Sequence, residues 1–342
     1  MNVVVSTDVS DVVDLGERLE TVTTVVLPEP DALADPPVVC FGFPGGGYAR
    51  GYFTFDMPGA SGGGQAGFHA SRGWVFVACD HLAVGDSSSP RDLSHLTFEH
   101  LAAANDATVH HVIEALADGT VTAGYPSVAD ALRLGVGQSM GGCLTIVAQG
   151  QLGTFDAIGV LGYSAIHTVL AMPPGSPAAP SVDIPRGTRI ELPPSDDALG
   201  PGPPALSAVA DLPPTTWGFH YDDEPRDLVA ADMVGYPMRL GTDPLPEWAS
   251  RGTPPCAVTM LTPAVVASEA AAVEVPVLVG VGERDVCPEP RMEPSAYKQS
   301  SDITVFICPR MSHMHNFAST RETFWSRIHA WGDRVGSMRP KP

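Results

Sequence analysis

Short apolar runs alternate with amphipathic stretches along the chain, and this alternation predicts its fold. The runs rich in β-branched and other apolar residues are predicted to be strands: 19–27, 38–43, 74–79, 132–137, 157–163, 275–281 and 303–308. The run at 38–43, VVCFGF, has no polar side chain, which is typical of a strand covered on both faces. Strands that alternate with helices indicate crossover units on a mostly parallel sheet.

Amphipathic spacing predicts helices between and after these runs. The stretches concerned are 65–71, 97–117, 139–149 and 316–335. In the last of them, Phe324, Ile328 and Trp331 lie on one side at helical spacing. A further short helix is predicted to begin at Thr262, with this threonine as its N-cap and Pro263 in its first turn.

The middle of the chain has a different composition. From 172 to 214 proline is too frequent for regular helices or strands. Because strands on both sides complete one alternation, 166–272 is predicted to be an insertion, a cap or lid, in one α/β domain formed by 1–165 and 273–342. A long irregular segment in a compact protein is usually functional.

Charge narrows the classes of partner. Among 342 residues, 19 Lys and Arg stand against 39 Asp and Glu, which gives a formal net charge of -20. Such a polyanion is repelled by nucleic-acid phosphates and anionic lipid, so neither nucleic acid nor a membrane is an expected partner. A homo-oligomer is compatible with the sequence.

The N-terminal segment and the cysteines point to the cytoplasm. Asp8, Asp11 and Asp14 lie in a segment without a basic stretch, so a secretory signal is not expected. The six cysteines are scattered singly and are interpreted as reduced thiols.

One pentapeptide gives the clearest indication of chemistry. Gly137-x-Ser139-x-Gly141 follows a predicted strand and opens a predicted helix. This strand–turn–helix elbow holds a serine hydroxyl above a sheet, and its tight turn leaves almost no room for side chains two residues before and after the serine. Ser139 is therefore the predicted nucleophile.

With this motif in place, the chain resembles the α/β-hydrolase superfamily over most of its length outside the insertion. The resemblance implies an α/β-hydrolase fold, with a mostly parallel central sheet flanked by helices and an inserted cap. The segment 41–48, FGFPGGGY, lies where the family often has a His-Gly-Gly-type loop, although Pro44 stands where many members have His. Glycines expose amide donors, and the amides of Gly46 and Met140 are expected to form the oxyanion hole. Which amide of the loop completes the hole stays open.

A second segment, 79–88, is similar to the family's D-x-x-G-x-G-x-S run. That run is mainly architectural in the family. Asp80, His81 and Asp86 are therefore not expected to be catalytic.

The resemblance also implies an acid and a base. In the family the acid usually follows the strand that corresponds to 275–281, so Asp285 is the expected acid and Glu283 the alternative. The base comes later in the order Ser, Asp, His. His313 follows a predicted strand by a short loop and is the expected base, with His315 as the alternative.

Neither a metal nor a cofactor is expected. The pair His313-x-His315 has no carboxylate or cysteine spaced with it to complete a metal shell. The sequence also has no G-x-G-x-x-G at a strand–helix turn, where a dinucleotide would bind.

The implied function is hydrolysis of a small-molecule ester or lactone through an acyl-enzyme. Candidate substrate-binding residues, which equally well pack the cap onto the body, are Gly47, Tyr48, Trp217, Phe219, Tyr221, Met233, Tyr236, Met238 and Trp248. If they line a pocket, a bulky neutral apolar substrate is expected, such as an aromatic ester or a macrocyclic lactone. C–C bond hydrolase, peptidase, acyltransferase and non-catalytic ligand-binding functions on the same fold stay as alternatives.

Overall fold

The structure is a computed structural model that describes residues 1–57, 62–191, 212–237, 239 and 243–339. The strands of this part of the chain are β1 (Asn2–Asp8), β2 (Glu20–Val26), β3 (Val38–Phe43), β4 (Val75–Cys79), β5 (Leu132–Gln138), β6 (Ala157–Leu161), β7 (Val277–Arg284) and β8 (Ile303–Ser312). They form one sheet in the order β1-β2-β4-β3-β5-β6-β7-β8. Only the pairings of β2 with β1 and β4 are antiparallel. The predicted fold class is confirmed.

Helices cover both faces of this sheet. Those of the described residues are α1 (Ser10–Val13), α2 (Gly51–Thr54), α3 (Gly64–Ala70), α4 (Phe98–Ala117), α5 (Met140–Leu152), α6 (Thr216–Phe219), α7 (Arg226–Met233), α8 (Ala267–Ala272) and α9 (Arg321–Met338). Residues of α4, α5 and α8 share one apolar core, and residues of α3 and α9 share the other. Along β4, Val75 and Val77 belong to the first core and Phe76 to the second, because successive side chains of a strand point to opposite faces.

The structure differs from the sequence prediction at the ends of two strands, at one strand that was not predicted and at one predicted helix. β7 and β8 continue past the predicted ends at 281 and 308, toward the edge where the elbow lies. β1 was not predicted, because an edge strand with alternating exposed and half-buried positions lacks a continuous apolar run. The helix predicted from Thr262 is wrong. Thr262 ends a 3-10 helix, its hydroxyl bonds the backbone of Ile184, and α8 begins only at Ala267.

The described residues between β6 and β7 include α6, α7, a 3-10 helix at Pro255–Leu261 and α8. Although α8 lies within 166–272, it packs against α5 of the α/β body. The division into a body and a cap stays a prediction. Among the described helices, none combines the length and apolar character needed to cross a membrane.

Candidate active site

The turn after β5 holds Ser139 in an unusual backbone conformation. Its φ of 54° and ψ of -117° lie in a region that residues with a side chain rarely adopt. A Cβ atom at Gly137 would overlap the carbonyl group of Gly141, and one at Gly141 would overlap that of Phe43. Close backbone approach therefore requires both glycines of the pentapeptide. α5 starts at the next residue after the serine.

Three of the predicted site residues form one hydrogen-bonded chain. Nε2 of His313 lies 3.0 Å from Oγ of Ser139, and Nδ1 of His313 lies 2.8 Å from Oδ1 of Asp285. These residues follow β5, β8 and β7, which run parallel in the sheet. Parallel strands bring their carboxyl ends to the same edge, which is why residues far apart in sequence meet there. His313 and Asp285 are buried, whereas Ser139 is partly exposed.

The two alternative residues have other contacts. Glu283 is exposed, and its Oε2 accepts the amide hydrogen of Arg310 at 2.8 Å. His315 does not approach the serine as His313 does, but its Nε2 lies 2.7 Å from Oδ2 of Asp285. Within the described residues, no group of three or more His, Cys, Asp or Glu side chains is arranged to hold a metal ion.

The carboxylate of Asp285 accepts four hydrogen bonds. Oδ1 accepts from His313 and from the amide of Val286 at 2.7 Å, and Oδ2 accepts from His315 and from the amide of Gly282 at 2.8 Å. Burial alone would raise the pKa of Asp285, but the imidazoles of His315 and His313 outweigh it and hold this pKa well below its ordinary value. Asp285 is therefore an anion at neutral pH, which suits a group that orients an imidazole.

The two residues whose amides are predicted to form the oxyanion hole line the same cavity as the serine. Gly46 and Met140 both line it beside Ser139. The loop that carries Gly46 is anchored by His81, whose Nε2 lies 3.1 Å from the carbonyl oxygen of Pro44. Burial lowers the pKa of His81 to about 4, so the ring is neutral at physiological pH. These contacts agree with an architectural role for the segment 79–88.

Gln138, directly before the serine, was missed by the sequence analysis. Its Nε2 donates to the carbonyl oxygen of His313 at 3.0 Å and lies 3.4 Å from Nε2 of the same residue. Its Oε1 is buried beside Gly45. Gln138 thus ties the histidine loop to the elbow. Its position next to Ser139 was the only available signal, because nothing in the sequence links it to residue 313.

Ser139 and His313 open into an apolar cavity of about 630 Å³. Within the described residues, no Asp, Glu, Lys or Arg lines this cavity. Much of its wall comes from the segment between β6 and β7, including Leu170, Ile190, Phe219, Met233, Val258 and Met260. The segment predicted as a cap therefore supplies the apolar surface that faces the serine.

The predicted substrate-binding residues fall into two groups. Phe219, Met233 and Tyr236 line the cavity. The others lie outside its wall, which agrees with the alternative that they pack rather than bind substrate: Gly47, Tyr48, Trp217, Tyr221 and Trp248. Met238 lies outside the described residues.

Other contacts explain why these aromatic residues are not in the wall. The rings of Trp217 and Tyr221 pack on the guanidinium of Arg284, with centroids 4.2 Å and 4.4 Å from its carbon. Tyr48 is completely buried. Its hydroxyl donates to Oδ2 of Asp232 at 2.6 Å, and the indole of Trp248 donates to Oδ1 of the same aspartate at 2.8 Å.

A buried charge cluster joins the α6–α7 segment to the glycine-rich loop. Nδ1 of His220 lies 2.6 Å from Oε2 of Glu224, and Nε2 lies 2.9 Å from Oδ2 of Asp232. Asp232 also pairs with Arg239 at 3.2 Å and accepts the hydroxyl of Tyr48. Burial alone would lower the pKa of His220, but the two carboxylates raise it to about 9, so the ring is a cation at neutral pH.

Solved structures share this architecture. The peroxisomal α/β-hydrolase Lpx1 of Saccharomyces cerevisiae aligns with a TM-score of 0.55 at 13% identity, over 96% of this chain and 85% of that chain. The proline iminopeptidase of Mycobacterium smegmatis has a TM-score of 0.58 at 16% identity, with 98% and 99% covered. A thermophilic esterase of Thermogutta terrifontis has a TM-score of 0.56 at 12% identity, with 97% and 99% covered.

Sequence comparison adds no relative to these structures. No protein-family model matches the chain, and no curated protein matches it in sequence. At identities this low, a structural likeness concerns the fold and leaves the activity to be argued from the site. The likeness extends over nearly the whole chain, together with the strand order and the elbow, and this protein therefore has the fold of the α/β-hydrolase superfamily.

Proposed function

We propose that the protein is a serine hydrolase that cleaves a carboxylic ester or lactone of a bulky, neutral, apolar compound. The observation that carries the proposal is the hydrogen-bonded chain from Ser139 through His313 to Asp285, which opens into an apolar cavity. The likeness to a hydrolase, a peptidase and an esterase supports hydrolysis as the general class of reaction.

In the first half of the reaction, Ser139 is acylated. His313 accepts the hydroxyl proton while Oγ attacks the carbonyl carbon of the substrate. Asp285 accepts a hydrogen bond from Nδ1 of His313, so the basic nitrogen is Nε2, and its negative charge stabilises the imidazolium that forms. The amides of Gly46 and Met140 donate to the oxyanion, and each such donor typically contributes about 2.7–4 kcal/mol to transition-state stability.

Collapse of the tetrahedral intermediate completes acylation, and the second half of the reaction then releases the acid. When the tetrahedral intermediate collapses, the bond to the leaving alcohol breaks and His313 gives its proton to that oxygen. A water molecule then loses a proton to His313 as it attacks the acyl carbon. Collapse of this second intermediate frees the carboxylic acid, and the proton returns to Oγ of Ser139.

The cavity wall favours a neutral substrate. A charged group bound there would lose its hydration without gaining an ionic partner, which costs several kcal/mol. An aminopeptidase would also have to bind a substrate ammonium, and the described part of the wall has no carboxylate for this purpose. This supports an ester or lactone over the N-terminus of a peptide.

Turnover in isotopically labelled water tests the proposal with a panel of neutral esters and lactones of graded size. Hydrolysis puts solvent oxygen into the acid product, whereas acyl transfer to an alcohol does not. We expect hydrolysis by the wild type and by Ser337→Ala, a control at an exposed serine, and a loss of about 10⁶-fold in kcat in Ser139→Ala. Unchanged turnover in Ser139→Ala, or no turnover by the folded wild type across the panel, contradicts the proposal.

A further inference from the structure

Asp285 binds two imidazoles, and the proposed reaction uses only one of them. His313 donates to Oδ1 at 2.8 Å, and His315 donates to Oδ2 at 2.7 Å. Each carboxylate oxygen also accepts a hydrogen bond from one backbone amide, Oδ1 from Val286 and Oδ2 from Gly282. The carboxylate is therefore held from both sides by ring nitrogens.

The contacts of His315 define which of its nitrogens donates to Asp285. Nε2 must donate to Asp285, because an ionised carboxylate only accepts hydrogen bonds. Nδ1 is buried and has no hydrogen-bond partner among the described residues. The ring packs against Phe324, with the centroids 4.6 Å apart. Nε2 is therefore the nitrogen of His315 that has a partner, and this partner is Asp285.

The two histidines are packed together by the backbone after β6. Gly162 has a φ of 55°, and a Cβ atom there would lie 3.1 Å from Nδ1 of His313 and 3.1 Å from Cε1 of His315. The amide of His315 also donates to the carbonyl oxygen of His313 at 3.1 Å. The backbone at Gly162 therefore lies close to both rings, and only a residue without a side chain leaves room for them there.

We propose that His315 is a positioning residue that acts through Asp285. Its hydrogen bond to Oδ2 fixes the rotation of the carboxylate, so that Oδ1 faces Nδ1 of His313. Among the described residues, His315 neither contacts Ser139 nor lines the cavity, so it takes no proton in the reaction. This inference rests on the proposed hydrolase function and adds a fourth side chain to its machinery.

A matched pair of variants tests the role of the hydrogen bond. In His315→Gln the side-chain amide can still donate to Oδ2, whereas His315→Met has a similar length and no donor. We expect His315→Met to lower kcat on a neutral ester by about ten- to a hundredfold, as for the loss of a hydrogen bond to a charged group. KM should stay within about twofold because the cavity is unchanged, and His315→Gln should recover most of kcat.

A double-mutant cycle separates positioning from a structural role. In the Asp285→Asn background the carboxylate is absent, so adding His315→Met should lower kcat by less than about twofold. Equal losses in both backgrounds, with Gln no better than Met, would overturn the inference. If His315→Met does not fold, as judged by circular dichroism, His315→Asn replaces it, because its side chain is too short to reach Oδ2.

A failure of the inference about His315 can be distinguished from a failure of the proposed function. If the wild type hydrolyses esters and His315→Met keeps wild-type kcat, only the role of His315 is contradicted. If the folded wild type hydrolyses no ester of the panel, the proposed function fails and the inference fails with it.

Discussion

At the scale of single residues, the candidate site depends on which atoms face each other. His313 has one nitrogen toward Ser139 and the other toward Asp285, while Glu283 is exposed and bonds a neighbouring backbone amide. Glu283 lies near the end of β7 and Asp285 directly follows this strand, so the difference between the two carboxylates is one of geometry.

Substitution of the two carboxylates tests this assignment. Asp285→Asn should lower kcat by about 10⁴-fold without unfolding the chain, because the amide no longer selects the productive tautomer of His313. Glu283→Gln is the matched control and should leave kcat unchanged. Steady-state kinetics on a neutral ester measures both variants, and a large loss in Glu283→Gln with a silent Asp285→Asn would reverse the roles.

The sequence predicts the residue types at the site better than their contacts. Ser139 lies in a recognisable turn, and Asp285 and His313 follow predicted strands, so their positions along the chain could be anticipated. The bonds of Gln138 to His313 and of His315 to Asp285 could not, because they depend on side-chain rotation and on the spacing of neighbouring loops.

At the scale of elements, α6 and α7 are joined to the glycine-rich loop through a buried ionic cluster. His220 lies at the end of α6, Asp232 lies in α7, and Tyr48 of the loop bonds the same carboxylate. The strands of apolar residues and the long helices were predictable from the sequence pattern. This cluster was not, since Tyr48 lies 184 residues before Asp232 and nothing in the sequence pattern links the two positions.

The ionic cluster predicts a pH dependence of stability. The pKa of His220 in the folded chain is about 9, above its ordinary value of 6.5. The contribution of the charged ring to the free energy of unfolding is therefore complete below about pH 6.5 and is lost as pH rises through about 9. The loss amounts to at most about 3 kcal/mol of the free energy of unfolding.

Urea unfolding measures this effect in the wild type and in His220→Gln. The difference in the free energy of unfolding between the two should shrink as pH is raised from about 6 to about 10, because the wild type alone loses the charged ring. A difference that stays constant or grows over this range would contradict a charged His220 in the folded chain.

At the scale of the whole molecule, the parallel sheet fixes where chemistry can occur. The carboxyl ends of β5, β7 and β8 converge at one edge, and the segment between β6 and β7 supplies much of the apolar wall in front of them. The mostly parallel α/β fold class followed from the alternation of apolar runs and helical stretches; the strand order was not predicted. The composition of the wall was not predictable, because aromatic residues of the segment between β6 and β7 divide between the cavity, the buried cluster and contacts with Arg284.

The apolar wall of the cavity beside Ser139 predicts a preference between two esters of equal length. An ester whose acyl chain ends in a methyl group should have a kcat/KM about a hundredfold higher than one whose chain ends in a carboxylate. A carboxylate in this cavity loses hydration without a cationic partner, and the net charge of -20 adds repulsion. The ratio of the two kcat/KM values should persist at high salt, because the cost of burying the carboxylate exceeds the long-range repulsion that salt screens. Equal kcat/KM values would contradict the neutral-substrate assignment.

The most direct test of the central claim is covalent labelling of the folded protein with a fluorophosphonate, followed by peptide mass spectrometry. Here Ser139 is predicted to carry the label, the rate of labelling is predicted to fall sharply in His313→Ala, and Ser139→Ala is predicted to stay unlabelled. A folded wild type that takes no label, or a label that persists in Ser139→Ala at the wild-type rate, would contradict the account.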